Sequence, residues 1–369
     1  MKRIVYTVRS LGNSGGIERV LVNKANWLIN NGGGYDITIL TEDVAESFYQ
    51  VDPRIKIQSL NITKQLSNSA VIRILRFVLF TINYWFKISH VLNEIKPDVV
   101  ISVNARDFYI LPFVNKKSKK IYEFHWIVSR PFKEARGASI VERIGKRLSD
   151  IIGNHYDSII LLTQKDKENI KNKWKNVKVI PNASTFVCET KAELLNNRAI
   201  AVGNLFHVKG FSRLIDVWRI VYQRYPEWSL SIYGDGYLRE ELQQKINGLS
   251  LTDVIKLEGK VTNIRDAYMQ SSFSLISSYE ESFSLTLLEA QTCGLPVIAF
   301  DCPFGPSELI THGVDGFLIP DGDFQAFADK VCELIENKEL RNEMGHNAFR
   351  HSKLFSEEEV MARWVNLLD

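Results

Sequence analysis

Cysteine is scarce and unpatterned. The four cysteines, at 188, 293, 302 and 332, show neither metal-ligand spacing nor a Cys-x-x-Cys pair. That argues against a zinc ribbon or a thiol redox motif and predicts reduced, buried thiols in a cytosolic protein. Long apolar runs are missing as well. The first one, in KRIVYTV, is too short for a signal peptide, and no stretch reaches the roughly 20 residues of a membrane span. Charge of one sign is missing too: the net charge of +3 is too small to argue for nucleic acid as a partner. No Gly-x-Gly-x-x-Gly follows the first strand of either half, which removes the dinucleotide fingerprint of a dehydrogenase. No Asp-x-Asp motif of metal-site character stands out, so neither a metal nor another cofactor is expected.

What is present describes an ordinary globular chain. Its 369 residues, 45% hydrophobic and 24% charged, exceed one comfortable core and fit two domains. The first half alternates helical patterns with strand-like runs at Arg3–Val8, Asp36–Thr41, Ile55–Leu60, Asp98–Val103, Lys119–Phe124, Asp157–Thr163 and Val177–Pro181. The second half does the same around Arg198–Gly203, Trp228–Tyr233, Val254–Glu258, Phe273–Ser277, Pro296–Phe300 and Gly316–Ile319. Such alternation implies parallel sheets covered by helices. The fold class is therefore α/β, with two doubly wound, Rossmann-like domains. The break falls in the polar stretch between Asn182 and Asn197, giving domains of 1–183 and 184–355, with a terminal amphipathic helix at 356–369. Ligands of open parallel sheets bind beyond the carboxyl ends of the strands, so the cleft between two facing domains is the expected site.

One stretch organises the rest: FSLISSYEESFSLTLLEAQTCGLPVIAFDCPFGPSE, residues 273–308. It reads as strand, loop, helix, turn, strand, loop. Glu280, Glu281 and a capping candidate, Ser282, precede a helical pattern from Phe283 to Cys293, which Gly294-Leu295-Pro296 ends. Glu281 then lies on the entry loop and Glu289 about two turns into the helix. Backbone N–H groups at Phe283, Ser284 and Leu285 would face an anion at the helix start. Two acceptor carboxylates flanking an anion site suit a ligand with hydroxyls on both sides of a phosphate, as in a nucleotide sugar.

This stretch resembles the donor-binding signature of glycosyltransferase family 4, retaining enzymes of the two-domain GT-B fold. The resemblance is carried by Glu281-Ser282-Phe283-Ser284-Leu285, Leu288-Glu289-Ala290 and Cys293-Gly294-Leu295-Pro296-Val297. It implies that Glu281 contacts the transferred sugar and that Glu289 binds the ribose hydroxyls. It also implies front-face attack with retention, in which the leaving phosphate takes the acceptor's proton. The Asp301-Cys302-Pro303 segment running to Gly305-Pro306 looks like that of members extending lipid-linked or surface oligosaccharides. A UDP-sugar donor and a glycan or lipid-linked acceptor are the implied partners, with bacterial surface polysaccharide or lipopolysaccharide the implied product.

Other segments fit the same pattern. Gly15-Gly16 leads into a helix. By itself it is a tight turn or a close approach to phosphate; the resemblance makes it the loop over the donor phosphates, with Glu18 and Arg19 toward the acceptor. His125 follows a strand end, where a histidine is either structural or turned to a ligand; the resemblance places it on the donor sugar. Lys209-Gly210 matches the family's diphosphate lysine. Asn204 stands where the family carries arginine, with Arg213 or Arg265 as candidate replacement charges. Gly259-Lys260-Val261 corresponds to the loop holding the base. The helix at 71–95 carries a thin polar stripe (Arg73, Arg76, Asn83, Lys87, His90) on an otherwise apolar and aromatic body. It is either packed on the sheet or peripheral at a membrane face, aided by a basic segment at 133–147. Two rival functions stay open: a non-catalytic GT-B binder or scaffold, and a GT-B epimerase or phosphorylase.

Overall fold

The computed structural model describes residues 1–31, 33–62, 70–128, 140–170 and 173–369, the side chains of 70–78, 140–144 and 146 excepted. The chain divides into two units, one of Met1–Ile180 with Met361–Asp369 and one of Pro181–Val360. The terminal helix Glu357–Leu368 thus begins in the second unit and ends in the first.

The first unit holds strands β1 (Lys2–Val8), β2 (Tyr35–Thr41), β3 (Lys56–Ser59), β4 (Val99–Ser102), β5 (Lys119–Glu123), β6 (Ser158–Leu161) and β7 (Val177–Val179). They form one parallel sheet in the order β3-β2-β1-β4-β5-β6-β7. The second unit holds β8 (Arg198–Val202), β9 (Ser229–Tyr233), β10 (Ile255–Gly259), β11 (Phe273–Ile276), β12 (Val297–Phe300) and β13 (Gly316–Ile319). Its parallel order is β10-β9-β8-β11-β12-β13. Every strand anticipated from the sequence is found. Strands such as β4, β6, β11 and β12 are buried at every residue. They read as unbroken apolar or small-residue runs because both faces of a parallel sheet are covered.

In each sheet the chain builds outward on one side of its first strand, then returns to build on the other. The order reverses between β1 and β4, and again between β8 and β11. In open parallel sheets such reversal points are where ligands bind, beyond the carboxyl ends of the strands.

A polar knot closes the core of the first unit at its reversal point. The buried carboxylate of Asp107 accepts hydrogen bonds from Thr7 of β1, Ser102 of β4 and Tyr84 of the helix Ala70–Ile95. That helix buries Tyr84, Ile88 and Leu92 against the sheet, while Leu79, Ile82 and Phe86 remain exposed. Among its described side chains, one face is thus packed on the sheet and another is exposed. Arg73, Arg76 and the segment 133–139 lie outside the described side chains.

Burial pushes the Asp107 carboxyl up to about 6 against the pull of its three hydroxyl donors, with Glu42 nearby adding to the rise. The unfolded value is about 3.9, so the folded state binds more protons between the two values. Stability from this group therefore falls as pH rises from about 4 to about 6. Urea unfolding of the wild type and Asp107→Asn across that window tests this. The stability difference between them should move by about 2–3 kcal/mol in favour of the variant at the higher pH. A difference that does not vary with pH would contradict it.

Candidate active site

In the second unit the loops after β8 and β11 are clasped together at the reversal point. Tyr279 N donates to Val208 O at 2.8 Å, and Ser277 Oγ donates to Lys209 O at 2.9 Å. The His207 ring stacks on Tyr279 with centroids 5.2 Å apart. Gly210 makes this closeness possible: its φ is +66°, and a Cβ there would sit 2.0 Å from Ser277 O. Only glycine satisfies both conditions. The clasp brings Lys209 Nζ within 2.7 Å of Glu281 Oε1, which also accepts from Ser278 Oγ at 2.6 Å.

Glu281 is held from the far side by the loop after β12. Gly305 N donates to Glu281 O at 2.8 Å, and a Cβ on Gly305 would come within 2.6 Å of the Glu281 Cβ. This segment was read from sequence as a turn into a helix and as a likeness to members extending lipid-linked or surface oligosaccharides; in the structure it holds the Glu281 backbone. Cys302, in the same loop, is inert. Burial, and then the Glu281 charge, push its thiol up to about 12, far from the thiolate needed for nucleophilic work.

The helix over the loop starts at Leu285 and ends at Thr292, with Ser284 in the capping position. It is therefore shorter than the anticipated run from Phe283, and Ser282 is not its cap. Phe283 is buried beside the Phe355 ring at 6.0 Å and anchors the chain just before the helix begins. Leu285 to Leu287 form the first turn, whose amides have no carbonyl partners within the helix. Glu289 consequently sits one turn into the helix rather than two. It is 4% exposed, and its carboxylate accepts from Thr185 Oγ1 at 2.6 Å and from Tyr268 OH at 3.4 Å.

Asn204 is exposed on the loop after β8, and Val261, 45% exposed, lies beyond the carboxyl end of β10. Arg213 is not a spare cation for the missing arginine. It is buried and committed: Nε donates to Ser277 O at 2.6 Å, Nη2 donates to Ser278 O, and Nη1 pairs with Asp321 at 2.6 Å. Its guanidinium also lies 4.0 Å from the Tyr279 ring centroid. Arg213 thus fastens the loop that presents Glu281. Arg265 is half exposed, with Asp266 at 3.8 Å.

In the first unit, Gly15 ends the loop after β1 and Gly16 opens the helix Gly16–Asn31. Glu18 folds back over Gly15, where a Cβ would come within 2.2 Å of its Oε2, and accepts from Asn13 Nδ2 at 3.3 Å. Arg19 lies 5.7 Å from the Tyr49 ring centroid. His125 follows β5, its side chain 4% exposed, with Nε2 3.2 Å from Glu123 Oε1.

Glu123 also accepts from Lys24 Nζ at 2.5 Å. Burial opposes its charge, yet Lys24 and then His125 bring the carboxyl down to about 2. Removing one partner of such a pair strands a buried charge, at a cost of about 3–5 kcal/mol. Sequence reasoning missed both residues, though a signal existed. Glu123 and His125 are two apart at the end of the anticipated strand, where residues two apart point the same way, and Lys24 interrupts an apolar helical pattern.

Among the described residues, no group of three or more His, Cys, Asp or Glu side chains gathers as metal ligands. None of the described helices is long and apolar enough to cross a membrane.

The residues around Glu281 and Glu289 lie within residues 190–351, which match the family described as "Glycosyl transferases group 1". Residues 14–183 match "Glycosyltransferase Family 4". An uncharacterized glycosyltransferase of Haemophilus influenzae is 30% identical, with 100% of both chains covered. The amylovoran biosynthesis glycosyltransferase AmsD of Erwinia amylovora is 25% identical, again over 100% of both. Among solved structures, a mutant of Staphylococcus aureus TarM in complex with Fondaparinux, alpha-GlcNAc-glycerol and UDP superposes with a TM-score of 0.81, covering 100% of both chains. At 16% identity that likeness speaks for the fold alone. With its paired parallel sheets and full-length relatives, the chain belongs to the family 4 glycosyltransferases of the GT-B fold.

Proposed function

We propose that this glycosyltransferase is a retaining, metal-independent hexosyltransferase. It moves a sugar from a UDP-sugar to a hydroxyl of a growing bacterial surface polysaccharide, lipopolysaccharide or lipid-linked oligosaccharide. The observation that carries this reading is the Lys209–Glu281 pair at the reversal point of the second sheet, one cation and one carboxylate 2.7 Å apart. A donor diphosphate would take Lys209 from Glu281, leaving the carboxylate to the sugar hydroxyls. The first-turn amides of the helix Leu285–Thr292 would share the phosphate charge, and Glu289 would take the ribose. Val261 and its loop would border the base, and Asn204 would give one hydrogen bond where the family has a guanidinium. On the first unit, Gly15 and Gly16 would approach the phosphates, Glu18 and Arg19 the acceptor, and His125 the sugar.

In this reading the bond from the sugar's anomeric carbon to the phosphate oxygen breaks as the acceptor oxygen approaches the same face. The acceptor's proton passes to the leaving phosphate, so UDP departs and the anomeric configuration is kept. Fixed charges placed where charge develops stabilise the oxocarbenium-like state. The UDP named with TarM and the amylovoran biosynthesis named for AmsD support the donor and the product class. The exposed Leu79, Ile82 and Phe86, with Trp85 stacked on Phe113 at 6.4 Å, support peripheral contact with a membrane that bears the acceptor.

Three measurements test this. Glu281→Ala should cut transfer on the order of 100-fold with an unchanged circular dichroism spectrum; near-normal turnover would remove Glu281 from the site. NMR of the product should show the donor's anomeric configuration, and an inverted linkage would contradict retention. Co-sedimentation with anionic vesicles should fall when Phe86 becomes serine, and an equal bound fraction would sink the membrane contact. Asn204 favours one rival, a binder without turnover, which would release no UDP from donor under any of these conditions.

A further inference from the structure

Three elements of the first unit converge on the carboxylate beside His125. Strand β5 ends at Glu123, and His125 follows two residues later. The helix Gly16–Asn31 supplies Lys24, which is 5% exposed and pairs with Glu123 Oε2 at 2.5 Å. The returning segment Met361–Asp369 supplies Trp364, whose ring centroid lies 3.6 Å from Lys24 Nζ. That segment is itself tied down: Lys2 Nζ and Lys119 Nζ donate to Leu368 O and Leu367 O, each at 2.5 Å. Lysines at a helix C-terminus satisfy its last carbonyls and complement its dipole.

A histidine at a strand end has several ring orientations and two neutral tautomers. The Glu123 charge, in ion contact 3.2 Å from Nε2 but outside hydrogen-bond geometry, favours the neutral tautomer with its proton on that nitrogen. A buried carboxylate does this only if it stays ionised, which needs a counter-charge. Lys24 is that counter-charge, and its ammonium lies over an indole face, a stabilising arrangement for a desolvated cation. On β1, Tyr6 feels the Glu123 charge. Burial, and then Glu123, raise its phenol well above the ordinary range, so it stays neutral.

We propose that Glu123 is a positioning residue that holds the His125 ring for sugar transfer, and that Lys24 and Trp364 keep Glu123 in its charged form. The inference rests on the reading of His125 as a contact of the donor sugar. The returning helix is thereby part of the support of the reaction centre as well as of the fold.

Single removal of Glu123 or Lys24 strands a buried charge, so the test uses the neutral pair Lys24→Met/Glu123→Gln in the full chain. Nitrogen-15 NMR of labelled histidine should place the His125 proton on Nε2 in the wild type and spread it over both nitrogens in the double variant. Turnover should fall about tenfold or more, as when a histidine's orienting partner is lost, with the KM for the nucleotide sugar within about twofold of wild type. A salt bridge that only stabilises the fold would move neither the tautomer nor the kcat. His125→Ala separates the two levels. If it transfers sugar normally, the reading of His125 fails. If it is inactive while the double variant keeps the wild-type tautomer and kcat, the positioning role is overturned.

Discussion

Two parallel strands that meet where the strand order reverses send their loops in opposite directions, and that constraint shapes the carboxyl edge of both sheets in this chain. In the second unit the reversal lies between β8 and β11, and the diverging loops would gape without a fastener. Arg213 supplies it, buried and bonded to the carbonyls of Ser277 and Ser278. Once that loop is fixed, Glu281 faces Lys209, and the helix Leu285–Thr292 begins four residues further on. The conformation of Gly210 and the seat that Gly305 gives to Glu281 follow from the same clasp.

The charge economy of the site looks different from the sequence than it does in three dimensions. Asn204 suggests a lost cation, and Arg213 looks available as a replacement because the sequence says nothing of its partners. In the structure Arg213 is occupied in holding backbone, so Lys209 carries the positive charge at the Glu281 clasp. The first unit solves a related problem in reverse. A carboxylate deep in the fold there is held in its charged form by Lys24, buried with it, and by His125 beside it.

Local pattern explains what was legible. Strands buried on both faces leave apolar runs bounded by glycine, proline and polar residues, so β1 to β13 were all anticipated to within two residues at either end. Glu281, Glu289 and Lys209 could be singled out because their neighbours form ordered strings. The start of the helix after Glu281 was misplaced because Phe283 fits an apolar helical face equally well as a buried anchor outside the helix. Partnerships between distant residues left no trace. Lys24 and Glu123 are 99 positions apart, Arg213 and Ser277 64, and Thr185 and Glu289 104. Nothing in a single sequence pairs such residues until the strand order is known. Glu123 at the end of β5 and His125 two residues on were the exception that could have been noticed.

The central claim is that Lys209 and Glu281 form the diphosphate and sugar end of a nucleotide-sugar site. Isothermal titration of UDP and of uridine into the wild type and Lys209→Met, at fixed ionic strength, tests it most directly. A charge-assisted contact to phosphate is worth about 1.5–3 kcal/mol. The variant should therefore bind UDP roughly 10- to 100-fold more weakly while its affinity for uridine is unchanged. Equal affinity of both proteins for UDP, or an equal loss for uridine, would contradict the account.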